Sequence, residues 1–293
     1  SKAAPRFEGW KMRAGTVLLA AGLGSLVPFG ARGGIEKDGD GAVPASRYTH
    51  NTGAAELTVD DTYLGGNHYH ALSGSDNLWR GFLGIHFEQT DSNVINGFPG
   101  DSGWGAVKDL DSLDFPLSID VVQGYNHTRL AYHSSAYPNI LVSENAYSGT
   151  ANEHWIVLEY RITNSDTAPL TGGRAIYFYE GDLPIHFYDD DNSAWDSLTH
   201  TAWEYDYSGG DQIATGISSL SEEGTLYHGD FLHWWTEGTS ETALYQIVTN
   251  PSWTGYLDSD VGVYLVLEIP FLGPAQYAEF AIAFVNGPDD STC

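Results

Sequence analysis

Apolar and polar residues alternate with period two in run after run from Glu56 to the C-terminus of this 293-residue chain. Clusters of Gly, Asn, Asp and Pro separate the runs, which is the pattern of β-strands joined by turns. No segment longer than about ten residues has a clean helical period. We therefore predict strands at residues 82–89, 117–123, 139–144, 154–164, 174–180, 200–207, 212–217, 225–228, 242–249, 261–269 and 277–286.

The run at residues 154–164 indicates how such strands would pack. One face carries four apolar side chains, Ile156, Leu158, Tyr160 and Ile162. The other face carries Trp155, Val157, Glu159 and Arg161. Strands of this kind suit two antiparallel sheets packed around a shared core. We predict an all-β fold, an antiparallel β-sandwich (jelly-roll or immunoglobulin-like in the broad sense) formed as a single large domain by residues 55–293, preceded by an extended apolar N-terminal arm at residues 1–54.

The charge of the chain is strongly acidic and unevenly distributed. Twelve Lys and Arg residues face 39 Asp and Glu residues, a net charge of −27. This balance excludes nucleic acid as the expected partner, because phosphate binding needs a basic surface. Residues 1–47 hold seven of the basic residues and only four acids. A basic arm therefore precedes an acidic body, and we expect the arm to contact such a body, either its own or that of a neighbour.

The most apolar segment of the chain lies in this arm, at residues 16–29 (TVLLAAGLGSLVPF). The segment is too short to span a bilayer, which takes about 20 apolar residues. Gly22, Gly24 and Pro28 disfavour a continuous helix, so we favour an extended strand. Three interpretations are open: insertion into a neighbouring subunit, packing on its own body, or a membrane-proximal helix or signal remnant. The predicted subunit contacts are Thr16, Val17, Leu18, Leu19, Leu23, Leu26, Val27 and Phe29.

Residues 154–173 (HWIVLEYRITNSDTAPLTGG) combine a long strand, a short polar turn and a second strand. This pattern resembles the β-sandwich modules of secreted and cell-surface bacterial proteins, including those appended to subtilisin-like proteases. The resemblance implies an extracellular structural or adhesive module and brings no catalytic residues. We accordingly predict a secreted structural subunit, not an enzyme, that forms a homopolymeric filament or sheath by donating its arm head-to-tail to the next subunit.

An acidic loop at residues 189–196 is a candidate calcium site. It offers Asp189, Asp191, Asn192 and Asp196, and Ca²⁺ takes six to eight oxygen ligands from flexible loops of this kind. The spacing is not that of an EF-hand, and a solvated acidic turn is the other interpretation. A calcium-stabilised adhesin module is therefore one alternative function.

Polysaccharide binding is the other alternative, either as a carbohydrate-binding domain or as a glycoside-hydrolase-type β-sandwich. Trp195, Trp203, Trp234, Trp235 and Trp253 could stack on sugar rings, although such residues in sandwiches also serve packing. Glycoside hydrolysis needs two suitably separated acids, and 39 acids leave many pairs open.

Three further residues carry separate expectations. Asn126 begins an Asn-His-Thr sequon, a glycosylation site if the chain is exported through a glycosylating pathway. Ser102 lies in a GDSG sequence, which we interpret as a turn because a triad is defined by geometry. Cys293, the single cysteine, excludes an internal disulfide and a cysteine-based zinc site.

Overall fold

A computed structural model of the chain describes residues 47–60, 63–71, 75–76, 80–91, 94–96, 110–112, 117–134, 136–149, 153–181, 192–206, 213–221, 224–230, 240–251 and 261–287. The predicted arm contacts at residues 16–29 lie outside these ranges, as do Ser102, Asp189, Asp191 and Cys293. Within these ranges, no helix is long and apolar enough to cross a membrane.

The strands of the described residues form three antiparallel sheets. The four-stranded sheet contains, in spatial order, β1 (Arg47–Asn51), β2 (Ala55–Asp60), β3 (Tyr63–Ala71) and β4 (Ser75–Asp76). The five-stranded sheet contains β16 (Gly224–Asp230), β17 (Val261–Leu272), β12 (Leu170–Glu180), β5 (Arg80–His86) and β6 (Ile95–Asn96). The nine-stranded sheet contains β13 (Asn192–Asp196), β14 (Thr201–Asp206), β15 (Ile213–Ser219), β18 (Tyr277–Gly287), β11 (Trp155–Asn164), β10 (Ile140–Ser148), β9 (Tyr125–Ser134) and β7 (Leu110–Ser112), with β8 (Ser118–Val122) also paired to β9.

The nine-stranded and five-stranded sheets pack face to face around one aromatic-rich core. Tyr160 of β11 meets Tyr177 of β12, with ring centroids 5.8 Å apart, and Tyr177 also packs edge-on against Phe284 of β18. A buried hydrogen bond of 2.7 Å from the Tyr179 hydroxyl to Thr215 Oγ1 joins the same two sheets. Ala55, Leu57 and Val59 of the four-stranded sheet contribute to this core. The predicted all-β antiparallel sandwich is therefore confirmed, and the apolar face predicted for β11 is the buried one.

The strand predicted at residues 242–249 is wrong, because this segment is helix α1 (Ser240–Thr249). Ile247 and Val248 are buried against the outer side of the five-stranded sheet, where they contact a cluster that includes Phe178 and Tyr264. Arg174 of β12 donates a hydrogen bond of 3.0 Å from Nη1 to the Val248 carbonyl and another to the Thr249 carbonyl. These contacts satisfy carbonyl groups that the end of a helix leaves without partners.

The first described strand, β1, is attached to the nine-stranded sheet by His50. Its fully buried ring places Nδ1 2.8 Å from Ser148 Oγ and Nε2 2.8 Å from Thr128 Oγ1. β1 also pairs with β2 along its whole length, so the boundary predicted at residue 54 falls between two paired strands. The strand β9, which carries Thr128, was not among the predicted strands.

Candidate functional site

The candidate functional site lies on the side of the nine-stranded sheet that faces away from the core. Because side chains alternate along a strand, the buried residues of β9, β10, β11 and β18 leave the intervening residues on the opposite side. The cross-strand register places these residues beside one another. We call this surface the aromatic–acidic face, and its members are Asp120, Tyr125, His127, Arg129, Asn145, Tyr147, Trp155, Glu159, Arg161, Tyr277 and Glu279.

His127 connects the edge strand β8 to β10. Its Nδ1 lies 2.6 Å from Asp120 Oδ1, and its Nε2 lies 3.1 Å from Asn145 Oδ1. The imidazole also stacks on the ring of Tyr147, with centroids 4.6 Å apart and planes 20° from parallel. Polar contacts on two sides and an aromatic ring on a third fix the orientation of His127, so that its neighbours are held in place as well.

Tyr147 and Glu159 form the centre of the face. The Tyr147 hydroxyl donates a hydrogen bond of 3.2 Å to Glu159 Oε2. Partial burial raises the pKa of Glu159, and the nearby charge of Glu279 raises that pKa further. Burial and the Glu159 carboxylate likewise raise the pKa of Tyr147. Oε1 of Glu159 makes no hydrogen bond within the described residues, so it is available as an acceptor.

Arg161 and Glu279 close the face on the β18 side. Arg161 Nε donates a hydrogen bond of 2.6 Å to Glu279 Oε1, and Nη2 contacts the same oxygen. The guanidinium also lies 4.4 Å above the centre of the Tyr277 ring, a cation–π contact. The positive charge of Arg161 is therefore already matched within the protein.

Aromatic and small apolar side chains lie next to these polar groups. Tyr125 and Trp155 are half-buried neighbours, with ring centroids 5.9 Å apart. Trp155 and Tyr147 pack around Val157, Ala281 and Ala283. Among the described residues, the Trp155 indole nitrogen and the Asn145 side-chain nitrogen donate no hydrogen bond. The face thus presents aromatic rings, two unused donors and one unused carboxylate oxygen on two adjacent strands.

The residues singled out in the acidic loop are only partly described. Asn192 and Asp196 are the first and last residues of β13, which puts them about 13 Å apart along an extended strand. Asp196 accepts hydrogen bonds from the Leu198 amide (2.8 Å) and the Thr199 hydroxyl (2.9 Å), and these bonds lower the pKa of Asp196. In the ranges covered by the structure, no group of three or more His, Cys, Asp or Glu side chains could hold a metal ion.

Two other predicted sites are placed by the structure. Asn126 lies in β9, half-buried between Val121 of β8 and Ser148 of β10. Of the tryptophans considered for sugar stacking, Trp203 faces the same side of the sheet as Trp155, and each lies in the row that contains Val285. Trp195 pairs with the buried Ala202 and is 52% exposed on the opposite side, at the sheet edge. The other three lie outside the described residues.

The members of the site come from five strands, so no local pattern in the sequence groups them. Trp155 and Glu159 were assigned to the outward face of β11, but nothing paired them with Tyr147 or His127. The signal that could have found them is the alternation in β10 (ILVSENAYS), where Asn145 and Tyr147 occupy the outward positions of a strand with buried Val142 and Ala146.

No protein-family model and no curated protein matches the sequence. Among solved structures, the heparan sulfate lyase HepC from Pedobacter heparinus is similar over 79% of this chain, with a TM-score of 0.41 and 12% identity, and the chain spans 33% of the lyase. A GalM/aldose epimerase homologue from C. elegans is similar over 84% of this chain and 100% of its own, with a TM-score of 0.45 and 6% identity. A putative mutarotase (YeaD) from Salmonella typhimurium covers 83% of this chain and 90% of its own, with a TM-score of 0.44 and 7% identity.

Proposed function

We propose that this chain is an extracellular glycan-binding β-sandwich whose ligand lies on the aromatic–acidic face. The observation that carries the proposal is the half-buried group of Tyr125, Tyr147 and Trp155 beside the unused polar atoms of Asn145 and Glu159. Aromatic rings pack against the C–H side of a sugar ring, while polar groups around them bond its hydroxyls. The proposal concerns binding and does not include cleavage of a bond.

The dimensions of the face suit an extended ligand. Asp120 and Glu279 lie on β8 and β18, two strands that are four strand spacings apart, about 19 Å across the sheet. The hydrogen bonds and ring contacts from Asp120 through His127 and Tyr147 to Glu159 hold this surface in one arrangement before a ligand arrives. Such preorganisation lowers the entropy cost of binding, which favours recognition of several sugar units in a row.

We expect Trp155→Ala to weaken glycan binding about tenfold, which corresponds to ~1.4 kcal/mol, because an aromatic stacking surface is removed. The ligand is first identified on a glycan array, and its affinity is then measured by isothermal titration calorimetry. Trp195→Ala is the matched control, since Trp195 is an exposed tryptophan on the opposite side of the same sheet. Equal losses in both variants, or an array without any bound glycan, would count against the proposal.

A second function, head-to-tail assembly through the N-terminal arm, is favoured by one specific surface. The strand β8 is an edge strand of the nine-stranded sheet, because among the described residues it pairs with β9 alone. Its Ile119 and Val121 are 41% and 67% exposed. Exposed apolar side chains on an edge strand make it a site for addition of another strand. We propose as occupant the apolar segment at residues 16–29 of a second copy, whose basic flanks complement the acidic body.

Deletion of residues 1–34 is expected to leave a folded chain that is monomeric, whereas the full chain forms larger assemblies. Val121→Lys should have the same effect on assembly, because a charge on β8 opposes strand addition. Phe271→Lys, at an apolar residue that is 58% exposed on β17, is the control. Light scattering after size-exclusion chromatography measures the masses. Assemblies that survive the deletion, or a full chain that is itself monomeric, would refute strand donation.

A further inference from the structure

We infer that the aromatic–acidic face selects glycans that carry no charge and rejects those that carry carboxylate or sulfate groups. The inference rests on the proposed glycan-binding function and adds the chemical class of the ligand. It follows from the signs of the charges around the rings, from the hydrogen-bonding groups left unused, and from the charge of the whole chain.

Carboxylates outnumber available cations on the face. The Arg161 guanidinium and the Glu279 carboxylate pair with each other, which leaves the carboxylates of Asp120 and Glu159. Arg129 is exposed and makes no ion pair within the described residues. A single exposed arginine attracts an anion only weakly, because water screens its charge and surface ion pairs add little binding free energy. The net local charge therefore does not favour an anionic sugar.

Glu159 is the group that an anionic sugar would meet at the centre of the face. Its side chain is half-buried next to Tyr147, so water screens its charge less than that of an exposed carboxylate. A uronic acid or sulfate placed on the neighbouring rings would set two negative charges close together in this partly dry site. A neutral hydroxyl at the same position can instead donate a charge-assisted hydrogen bond to Glu159 Oε1.

The unused atoms of the face match hydroxyl groups. Asn145 and Trp155 offer donors, and Glu159 offers an acceptor, within two adjacent strands. A sugar hydroxyl both donates and accepts, so it can satisfy all three types of contact. A sulfate or carboxylate only accepts and would leave the Glu159 oxygen without a donor.

The long-range field of the chain acts in the same direction. Its net charge of −27 repels polyanions at low ionic strength, and salt screens this repulsion. The field exerts no net force on an uncharged polysaccharide. Its binding should therefore change little with salt, which separates the two ligand classes in solution.

Three variants with different expected effects test the inference. Glu159→Gln should weaken the binding of an uncharged glycan about tenfold, because a charge-assisted hydrogen bond is replaced by a weaker one. Arg129→Gln removes the exposed cation of the face and is tested against the polyanions, which should bind neither this variant nor the wild type. Asp91→Asn, on the five-stranded side of the sandwich, removes one negative charge from the chain without touching the face.

The probes are galactomannan and xyloglucan as uncharged polymers, and polygalacturonate and dextran sulfate as polyanions, together with a glycan array. Affinities are measured by biolayer interferometry at about 50 and about 500 mM NaCl, where the screening lengths differ by roughly threefold. The inference is supported if uncharged glycans bind independently of salt, and if Glu159→Gln weakens this binding while Asp91→Asn does not.

The inference would be overturned if the wild type binds the polyanions and if this binding is lost in Arg129→Gln and strengthened in Glu159→Gln. That outcome would still be consistent with the proposed glycan-binding function. The absence of binding to any glycan would overturn both. An equal effect of Asp91→Asn and Glu159→Gln would show that the total charge of the chain, and not the face, determines the preference, which also contradicts the inference.

Discussion

Acidification from pH 6.5 to pH 4.5 is expected to remove about 2.3 kcal/mol of unfolding free energy through His50 alone. Burial, together with a smaller effect of the nearby His127, lowers the pKa of His50 from 6.5 to about 3. Below pH 6.5 the unfolded chain therefore binds a proton that the folded chain does not. The contribution of the neutral His50 to the free energy of unfolding is present above pH 6.5 and is lost as the pH falls toward 3.

Replacement of the imidazole isolates this contribution. His50→Gln is expected to be less stable than the wild type by about 2 kcal/mol at pH 7, because the hydroxyls of Ser148 and Thr128 lose their buried partner. The difference should shrink, and then reverse, as the pH falls toward 4.5. Urea unfolding at several pH values measures it. His154→Gln, at an exposed histidine, is the control, and a wild-type-minus-variant difference that does not vary with pH would contradict the assignment.

The contacts of His50 explain why the boundary of the arm could not be located from the sequence. Residues 47–54 were assigned to the arm because the charge and apolar patterns change near there. The structure shows that β1 pairs with β2 and sends His50 between β9 and β10. A single buried histidine with two hydroxyl partners that are 78 and 98 residues away leaves no local pattern.

The long strands were predictable because their pattern is local. In β11 and β18 the apolar residues recur at every second position over ten or more residues, and these residues form the core. β9 was missed because its sequence, YNHTRLAYHS, mixes polar and aromatic residues on both faces. Its inward Thr128 binds His50, and its outward His127 binds Asp120, so polar groups are used on both sides.

The sequence predicted which types of residue would form a sugar-binding site, but not which residues the fold brings together. Aromatic residues and acids were expected to bind sugar, yet the tryptophans chosen from the sequence did not include Trp155. The grouping of His127, Tyr147 and Glu159 depends on the register of β9, β10 and β11, which hydrogen bonds and turns set across the sheet. One shift of register by a single residue would send each of them into the core.

Val248→Asp is expected to destabilise the chain by about 4 kcal/mol or more, since it places an unpaired carboxylate in a fully buried site. Val248 packs with Ile247 against the outer side of the five-stranded sheet. The carboxylate would either stay charged without a partner or push the helix away from the cluster that contains Phe178. Thermal and urea unfolding measure the loss.

Gln246→Asp is the matched control, and it tests the helix directly. In a strand, residues 246 and 248 would point to the same side, so two aspartates there would have similar effects. In helix α1 they lie about 200° apart around the axis, which leaves Gln246 exposed while Val248 is buried. We therefore expect a change within about 0.5 kcal/mol for Gln246→Asp. Comparable losses in the two variants would favour the strand that alternation predicted. A large difference shows instead that the segment is a helix. Burial against the sheet and the hydrogen bonds from Arg174 to the last carbonyls then outweigh the preference of the local sequence for a strand.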